Sequence, residues 1–214
     1  MHTECLAPAA LKILKLLKGP VGAHQFVLAG GTAIALHLGH RKSVDFAFST
    51  ERTFSTDKVF QDIKRLGLEV KTLQEEKGTL TITADGVKIS LFHYPYPLLE
   101  IKADLNGIPV AGLIDIASMK LLAITQRGAK RDFVDLYFIL QDIPFAKVGG
   151  NMIKRFGTDR INPLVIGKSL VYFNDAESDP EPDYLGKKKD WKVIKKFFAD
   201  HVQQFALDLH KTMA

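Results

Sequence analysis

A double glycine and a later aspartate are the residues whose types and spacing best suit a chemical role. Gly30-Gly31-Thr32 follows an apolar run, and Asp45 comes after the basic group His40-Arg41-Lys42. Two residues without a Cβ let a phosphate approach the backbone, and the start of a helix presents N–H groups with a partial positive charge. Asp45 could hold Mg²⁺ against the phosphates, while Thr32 adds a hydroxyl and Arg41 offsets charge. The pattern favours a phosphate-binding site, although the glycines alone also fit a tight strand-to-helix turn.

A second group of charged residues lies further along the chain. Lys120 stands on a predicted helix, Arg127 lies near the joint to the next helix, and Asp132 and Asp135 follow three residues apart. One interpretation is an edge that faces a triphosphate or RNA, with Lys120 contacting phosphate. The other is a solvated basic joint in which Asp132 caps a helix. The sequence leaves both open.

The elements that must position the first group follow from hydrophobic periodicity. Apolar spacing predicts, in order, a helix over Ala7–Leu17 that Gly19–Gly22 breaks, a buried strand over Phe26–Leu28, a helix over Thr32–Leu38, a strand over Val44–Phe48 and a helix over Asp57–Leu66. Alternating apolar and polar residues predict antiparallel strands over Leu68–Leu73, Thr79–Ala84 and Val87–Phe92, with Asp85-Gly86 as a two-residue hairpin turn.

From Ile114 onward the pattern changes to helices. Asp115 is predicted to cap a helix that ends at Gly128, and another helix covers Asp132–Leu140. Further breaks are expected near Gly149-Gly150, near Asn162-Pro163 and over Asp179–Pro182, before a terminal amphipathic helix over Trp191–Leu209. Strands first and helices second predict an α+β fold, with a mixed sheet within 26–110. We expect a core region over 1–112 and a helical region over 113–214 packed on it.

Composition narrows the class of protein. The chain has 214 residues and a mass of 23.8 kDa, with 46% apolar and 25% charged residues, which excludes a disordered, fibrous or coiled-coil protein. No apolar run reaches the roughly 18–20 residues of a membrane span, and no signal peptide is visible, so a cytoplasmic location is expected. Cys5 is the only cysteine, which excludes an intrachain disulfide.

The charge is mildly basic and unevenly spread. A net charge of +5 permits an anionic partner such as a nucleotide or RNA and requires none. Acidic residues crowd the segment 175–183, and lysines crowd 187–196. We expect an exposed acidic loop that meets the basic tail, and the lysines suit either an RNA backbone or a solvated helix face.

Both candidate groups belong to patterns that recur in one protein family. The residues concerned are Leu28-Ala29-Gly30-Gly31-Thr32-Ala33, Gly39-His40-Arg41, Ser43-Val44-Asp45-Phe46, Asp115-Ile116-Ala117, Met119-Lys120, Ala123-Ile124, Arg127-Gly128 and Lys130-Arg131-Asp132-Phe133-Val134-Asp135-Leu136-Tyr137. Across roughly 27–191 the chain resembles the nucleotidyltransferases of the AbiEii/AbiGii toxin type. These belong to the polymerase-beta-like superfamily and are common as the toxin half of bacterial toxin–antitoxin pairs.

The resemblance implies a function and a role for each matching residue. It implies a polymerase-beta-like sheet, transfer of a nucleotide from an NTP to RNA, notably tRNA ends, with Mg²⁺ as cofactor, and a cognate antitoxin as partner. By position it implies that the triphosphate is held by Gly30, Gly31 and Thr32 with Arg41 nearby, that the metal is held by Asp45, that Lys120 contacts phosphate, and that Asp132 or Asp135 supplies a later acidic motif.

One position departs from the family pattern. The first acidic motif of the family is usually Asp-x-Asp, and this chain has Asp45-Phe46-Ala47. Residues two apart on a strand point the same way, so a carboxylate at position 47 would join Asp45 over a metal. A third acid is often sought on a following strand, and the predicted strand over Val87–Phe92 offers only Ser90. We therefore predict a nucleotidyltransferase of low activity, with a catalytically inactive nucleotide- or protein-binding module as the alternative.

Overall fold

The computed structural model describes residues 1–100, 103–186 and 188–213, and these form two compact units. The first unit contains the described residues of 1–97 and 101–111, and the second contains 98–100 and the described residues from 112 onward. All the strands of the sheet lie in the first unit, and the second is helical. The predicted α+β class with a mixed sheet is therefore confirmed.

The first unit interleaves short helices with strands. Its helices are α1 (Pro8–Leu16), α2 (Lys18–Ala23), α3 (Gly30–Leu38) and α4 (Thr56–Lys64). Its strands are β1 (Val27–Ala29), β2 (Phe46–Thr50), β3 (Val70–Glu76), β4 (Thr79–Ala84), β5 (Val87–His93), β6 (Ala103–Leu105) and β7 (Ile108–Val110). The sequence Gly19–Gly22, which we expected to be a break, lies within α2.

The strands form one mixed sheet in the order β3-β4-β5-β2-β1-β7-β6. β2 runs parallel to β5 and antiparallel to β1, and β1 runs parallel to β7. Phe46, Phe48, Ile82 and Ile89 are fully buried. Because strand residues alternate between faces, these side chains define the core face and leave Asp45 and Ala47 on the other face.

Two hairpin turns of the same kind shape this sheet. Asp85 and Gly86 adopt φ values of 45° and 81° between β4 and β5, as predicted for a two-residue turn. Asn106 and Gly107 adopt φ values of 55° and 86° between β6 and β7. Hydrophobic periodicity did not predict this second hairpin, because its strands have three residues each, too few for a periodic pattern.

The second unit consists of helices. They are α5 (Leu113–Arg127), α6 (Lys130–Asp142), α7 (Phe145–Phe156), α8 (Pro163–Leu170), α9 (Asn174–Glu177) and α10 (Trp191–Met213). Gly128, with φ 53°, ends α5 as predicted. The buried Phe133 ring lies 5.3–5.9 Å from the rings of Phe173, Phe198 and Trp191. None of the described helices is both long and apolar enough to cross a membrane.

Two predicted features of this unit are wrong. Gly149-Gly150 does not break a helix: α7 runs through both, and a Cβ at Gly149 would lie 2.9 Å from Leu209 Cδ2, so the glycine allows α10 to pack closely. Asp115 does not cap α5. The Glu100 carboxylate accepts hydrogen bonds from the backbone N–H groups of Ile114 and Asp115 at 2.6 and 3.2 Å. Hydrophobic periodicity could not predict this cap, because Glu100 lies outside α5.

The acidic segment meets the basic tail, as expected. Glu177 Oε1 accepts a hydrogen bond from Lys195 Nζ at 2.6 Å, and this bond lowers the pKa of Glu177. Glu181 lies 3.3 Å from Lys130 Nζ and 3.5 Å from Lys188 Nζ. Lys187, which belongs to the same predicted lysine cluster, lies outside the described residues. These contacts hold the segment before α10 against the helical unit.

Candidate nucleotide-binding site

The double glycine forms the first turn of α3, immediately after β1. The first N–H groups of a helix have no intrahelical acceptors, and Ala29 at the N-cap supplies no side-chain acceptor. The partial positive charge of this helix start is therefore not neutralised by a capping side chain. We call Gly30, Gly31 and Thr32 the cradle, because their backbone could receive a phosphate in this way.

Gly30 brings the cradle close to position 47. Its φ is 63°, a left-handed conformation that glycine adopts without steric cost. A Cβ placed on Gly30 would lie 3.2 Å from the Cβ of Ala47. The register agrees, since Ala29 pairs with Ala47 across β1 and β2. Residue 47 therefore lies directly beside the cradle.

Thr32 ties the cradle to the backbone of Asp45. The buried Thr32 hydroxyl donates a hydrogen bond to the carbonyl oxygen of Asp45, and Ser43 Oγ lies 2.7 Å from Thr32 Oγ1. Because a hydroxyl has one proton to donate, the Thr32 proton is used in the hydrogen bond that positions Asp45. A direct contact between Thr32 and phosphate stays a prediction.

The side chain of Asp45 is half-buried, one residue before β2 begins. Within the part of the chain that the structure describes, its carboxylate forms no hydrogen bond or ion pair. The basic group lies in the same connection between α3 and β2. Arg41 is buried there and donates a hydrogen bond to the Lys42 carbonyl at 3.0 Å, and its contact with a nucleotide stays a prediction.

A row of small side chains runs across the strands beside Asp45. Ala47 pairs with Ser90 on β5, and Ser90 pairs with Thr81 on β4. The hydroxyls of Thr81 and Ser90 are 3.4 Å apart. We call Ala47, Ser90 and Thr81 the neutral row, since it offers a methyl group and two hydroxyls in place of acids.

This donor set does not fit the pair of magnesium ions that nucleotidyl transfer uses. Two-metal chemistry needs carboxylates that bridge both ions, and the neutral row contributes none to join Asp45. Among the described residues, no group of three or more His, Cys, Asp or Glu side chains is arranged to hold a metal ion. The predicted role of Asp45 as a metal ligand is therefore left without partner acids.

The second unit contains a different cluster of charges. Lys120 Nζ lies 2.6 Å from Asp132 Oδ1 and 2.8 Å from Asp135 Oδ2. Arg127 binds both oxygens of Asp132, at 2.8 and 3.1 Å. Both aspartates are fully buried, and the Lys120 side chain is 7% exposed. These four residues, which we call the ion-pair cluster, contain two cations and two anions and balance in formal charge.

The pKa shifts agree with an ionised cluster. Burial raises the pKa of Asp132, but the charges of Lys120 and Arg127 and their hydrogen bonds outweigh burial, so the net pKa lies below its usual value. The hydrogen bond to Asp132 raises the pKa of Arg127. Asp132 is neither solvated nor a cap of α6, so that interpretation of the sequence is wrong. The phosphate contact of Lys120 and the acidic role of Asp132 and Asp135 stay predictions.

The sequence pointed to the cradle with Asp45 and to the residues of the ion-pair cluster, but it did not reveal two features of their surroundings. The neutral row was invisible beyond Ala47 and Ser90, because Thr81 joins it only through the register of β4 and β5. The pairing of Lys120 with Asp132 and Asp135 was missed because charge patterns predict pairs within one helix, and these residues lie on two. The cradle belongs to the first unit and the ion-pair cluster to the second.

Sequence comparison identifies relatives along nearly the whole chain. The family model described as nucleotidyl transferase AbiEii toxin, type IV TA system, matches residues 15–96 and 87–208. The uncharacterized protein aq_aa25 of Aquifex aeolicus (strain VF5) is 38% identical over 186 residues, which cover 85% of this chain and 88% of that protein.

Solved structures share the fold at low sequence identity. MenT4, the nucleotidyltransferase toxin Rv2826c of Mycobacterium tuberculosis H37Rv, superposes with a TM-score of 0.57 at 18% identity, covering 97% of this chain and 94% of that one. A protein of H. pylori assigned as a nucleotidyltransferase gives a TM-score of 0.58 at 17% identity, covering 96% and 98%. At this level of sequence identity, the superpositions show that the fold is shared.

Proposed function

This chain belongs to the AbiEii family of nucleotidyltransferases, and from that membership we propose that it binds a nucleoside triphosphate at the cradle and transfers the nucleotide only slowly. In the proposed reaction an acceptor hydroxyl attacks the α-phosphorus, a new P–O bond forms, and the bond to the β-phosphate breaks. Pyrophosphate leaves and the hydroxyl proton is released. The proposed acceptor is RNA, with tRNA ends as the first candidate.

Binding at the cradle is supported by its backbone. The first turn of α3 has no side-chain cap, and Gly30, with φ 63°, has no Cβ to block the approach of a phosphate. Backbone N–H groups at a helix start bind phosphate oxygens without help from a metal ligand. Thr32 contributes by fixing Asp45 beside the same turn.

The slow rate is supported by one observation, the position of Ala47. A Cβ on Gly30 would lie 3.2 Å from the Cβ of Ala47, and the strand neighbour of Ala47, Ser90, is neutral. A metal-held oxygen stabilises charge in the transition state, so the loss of a bridging carboxylate costs several kcal/mol, or on the order of 10³-fold in rate. Nucleotide binding and efficient transfer are thereby separated in this chain.

The test is to introduce a carboxylate at position 47. Ala47→Asp should gain Mg²⁺-dependent incorporation of labelled NTP into total tRNA, compared with the unmodified chain under each of the four NTPs. Ala47→Asn is the matched control, because it adds the same volume without charge and should gain nothing. A fully active unmodified chain would contradict the slow-transfer proposal.

A second candidate function is favoured by the neutral row as a whole. With neither Ala47 nor Ser90 acidic, the chain could bind a nucleotide or a protein without turnover. If Ala47→Asp adds no activity with any acceptor while NTP binding persists, this binding function replaces the transferase.

The expected protein partner is an antitoxin. The family model describes the toxin of a type IV toxin–antitoxin system, and we extend that description to this chain as a proposal. Expression of Ala47→Asp should slow bacterial growth more than expression of Ala47→Asn. Co-expression of the neighbouring gene should relieve the slowing if that gene encodes the antitoxin.

A further inference from the structure

The face of the sheet that carries Asp45 and Ala47 also carries a lysine next to Asp45. Ile89 of β5 pairs with Phe46 of β2, so Lys88 lies beside Asp45 one residue before the ladder begins. Lys88 is exposed and shares the face of Ser90, since strand residues two apart point the same way. Its side chain therefore stands on the face that carries the neutral row.

The chemistry of this face differs from that of a metal site. Lys88 pairs with Thr83, and the next row contributes the hydroxyls of Ser90 and Thr81. The ammonium of Lys88 thus stands beside the carboxylate of Asp45, and Thr83, Ser90 and Thr81 are neutral, while Lys71, further along the row, is paired with Glu69. A set of carboxylates repels phosphate until a cation is bound, whereas this face is balanced without one.

The strand order brings Lys88 to the neighbourhood of the cradle. Neighbouring strands lie about 4.8 Å apart, and the side chain of lysine carries its charge at the end of a long flexible stem. The Thr32 hydroxyl binds the backbone carbonyl of Asp45, so Asp45 lies against the cradle and Lys88 stands one strand spacing away from Asp45. Lysine binds phosphate as a point charge.

We propose that this site takes the triphosphate directly, without a divalent cation, and that Lys88 supplies the positive charge a metal would otherwise provide. The proposal deepens the proposed function, because it rests on NTP binding at the cradle. It explains why the neutral row is compatible with nucleotide binding even though it offers no bridging acid.

Titration calorimetry with ATP in EDTA and in MgCl₂ tests the proposal. The unmodified chain should bind ATP in EDTA at least as tightly as in MgCl₂. Lys88→Met should weaken binding in EDTA by about tenfold to a hundredfold, the range for a hydrogen bond to a charged group. Lys88→Gln is the second variant, and thermal unfolding of both should match the unmodified chain because Lys88 is exposed.

Lys71→Met is the matched control. Lys71 pairs with Thr83, which pairs with Lys88, so both lysines occupy the same cross-strand row. Lys71 lies two strands from Lys88 and pairs with Glu69 at 2.7 Å. Its replacement should leave ATP binding unchanged.

The outcomes separate the two proposals. Binding that requires MgCl₂, or binding that survives both Lys88 variants, would overturn the metal-independent site and leave the proposed function standing. No binding of ATP in either buffer, with the other three NTPs also negative, would overturn both. Ala47→Asp should bind ATP only with Mg²⁺, because the added charge repels phosphate until a cation neutralises it.

Discussion

The cradle and the ion-pair cluster present charge in opposite ways. At the cradle, helix N–H groups lack a side-chain cap, and the Asp45 carboxylate has no ionic partner among the described residues. In the ion-pair cluster, Lys120 and Arg127 bind the buried carboxylates at 2.6–3.1 Å. Groups left with open hydrogen-bonding capacity suit a ligand, whereas groups that satisfy one another stabilise a fold.

This difference changes how family motifs are interpreted. Lys120, Asp132 and Asp135, like Gly30 and Gly31, belong to the sequence patterns that resemble the family. In the structure the first three are buried together, and removing one leaves an opposite charge buried. A sequence match therefore does not separate residues that touch a substrate from residues that hold helices together.

The largest expected effect is on folding and comes from Lys120. Lys120→Met should lower the free energy of unfolding by about 3–5 kcal/mol, because it leaves buried carboxylates without their ammonium. Urea unfolding measures this loss. Lys196→Met is the control, since its exposed pair with Asp200 at 2.9 Å should contribute about 0.5 kcal/mol or less.

The opposite result would assign Lys120 to ligand binding. If Lys120→Met unfolds at the same urea concentration as the unmodified chain but binds ATP about tenfold more weakly, Lys120 contacts phosphate, as the family pattern implies. Lys120 would then be a ligand-binding residue of the second unit.

Replacement of Gly30 should affect folding less than replacement of Lys120 does, and ATP binding more. Gly30→Ala should cost about 1–3 kcal/mol, because alanine is strained at φ 63° and its Cβ would crowd Ala47 at 3.2 Å. The crowding should also displace the first turn of α3 and reduce ATP affinity in calorimetry.

Gly67→Ala separates strain from crowding. Gly67 has φ 77° and open space where a Cβ would lie, so its replacement carries the backbone cost alone. We expect it to keep full ATP affinity. Equal ATP affinity in Gly30→Ala and Gly67→Ala would show that phosphate binding does not depend on the absence of a Cβ at Gly30.

The smallest effect is a dependence of stability on pH from Asp132. Its pKa is lowered in the folded state, so its contribution is complete above the ordinary carboxyl range near pH 4 and is lost as pH falls through the lowered value. The difference in unfolding free energy between the unmodified chain and Asp132→Asn should therefore shrink from about pH 6 to about pH 3. Asp200→Asn should show almost no difference to lose, and a constant difference for Asp132→Asn would contradict a lowered pKa.

Local signals predicted much of the fold. The φ preference of Asp85-Gly86 fixed one hairpin, and Gly128 marked the end of α5 through its left-handed conformation. Asn106-Gly107 carried the same signal and could have identified the β6–β7 hairpin. The helix through Gly149-Gly150 was missed because packing against Leu209 outweighs the poor helix propensity of glycine.

The sequence predicted part of the geometry of the candidate site. Spacing singled out Gly30, Gly31 and Asp45, and strand alternation put Ala47 on the same side as Asp45, but the closeness of Ala47 to Gly30 follows only from the pairing of β1 with β2. The task of Thr32 was not predictable, because its hydrogen bond to Asp45 joins residues that only the tertiary fold brings together. Lys88 escaped notice for the same reason, since its place beside Asp45 follows from the register of β2 and β5.

The central claim is that nucleotide phosphates bind at the cradle and not at the ion-pair cluster. Backbone amide shifts of the ¹⁵N-labelled protein, followed during titration with ATP, test this residue by residue. We expect the largest shifts at Gly30, Gly31 and Thr32, with far smaller ones at Arg127 and Gly128. Amides of the cradle that stay unmoved by millimolar ATP, while those around Arg127 shift, would contradict this claim.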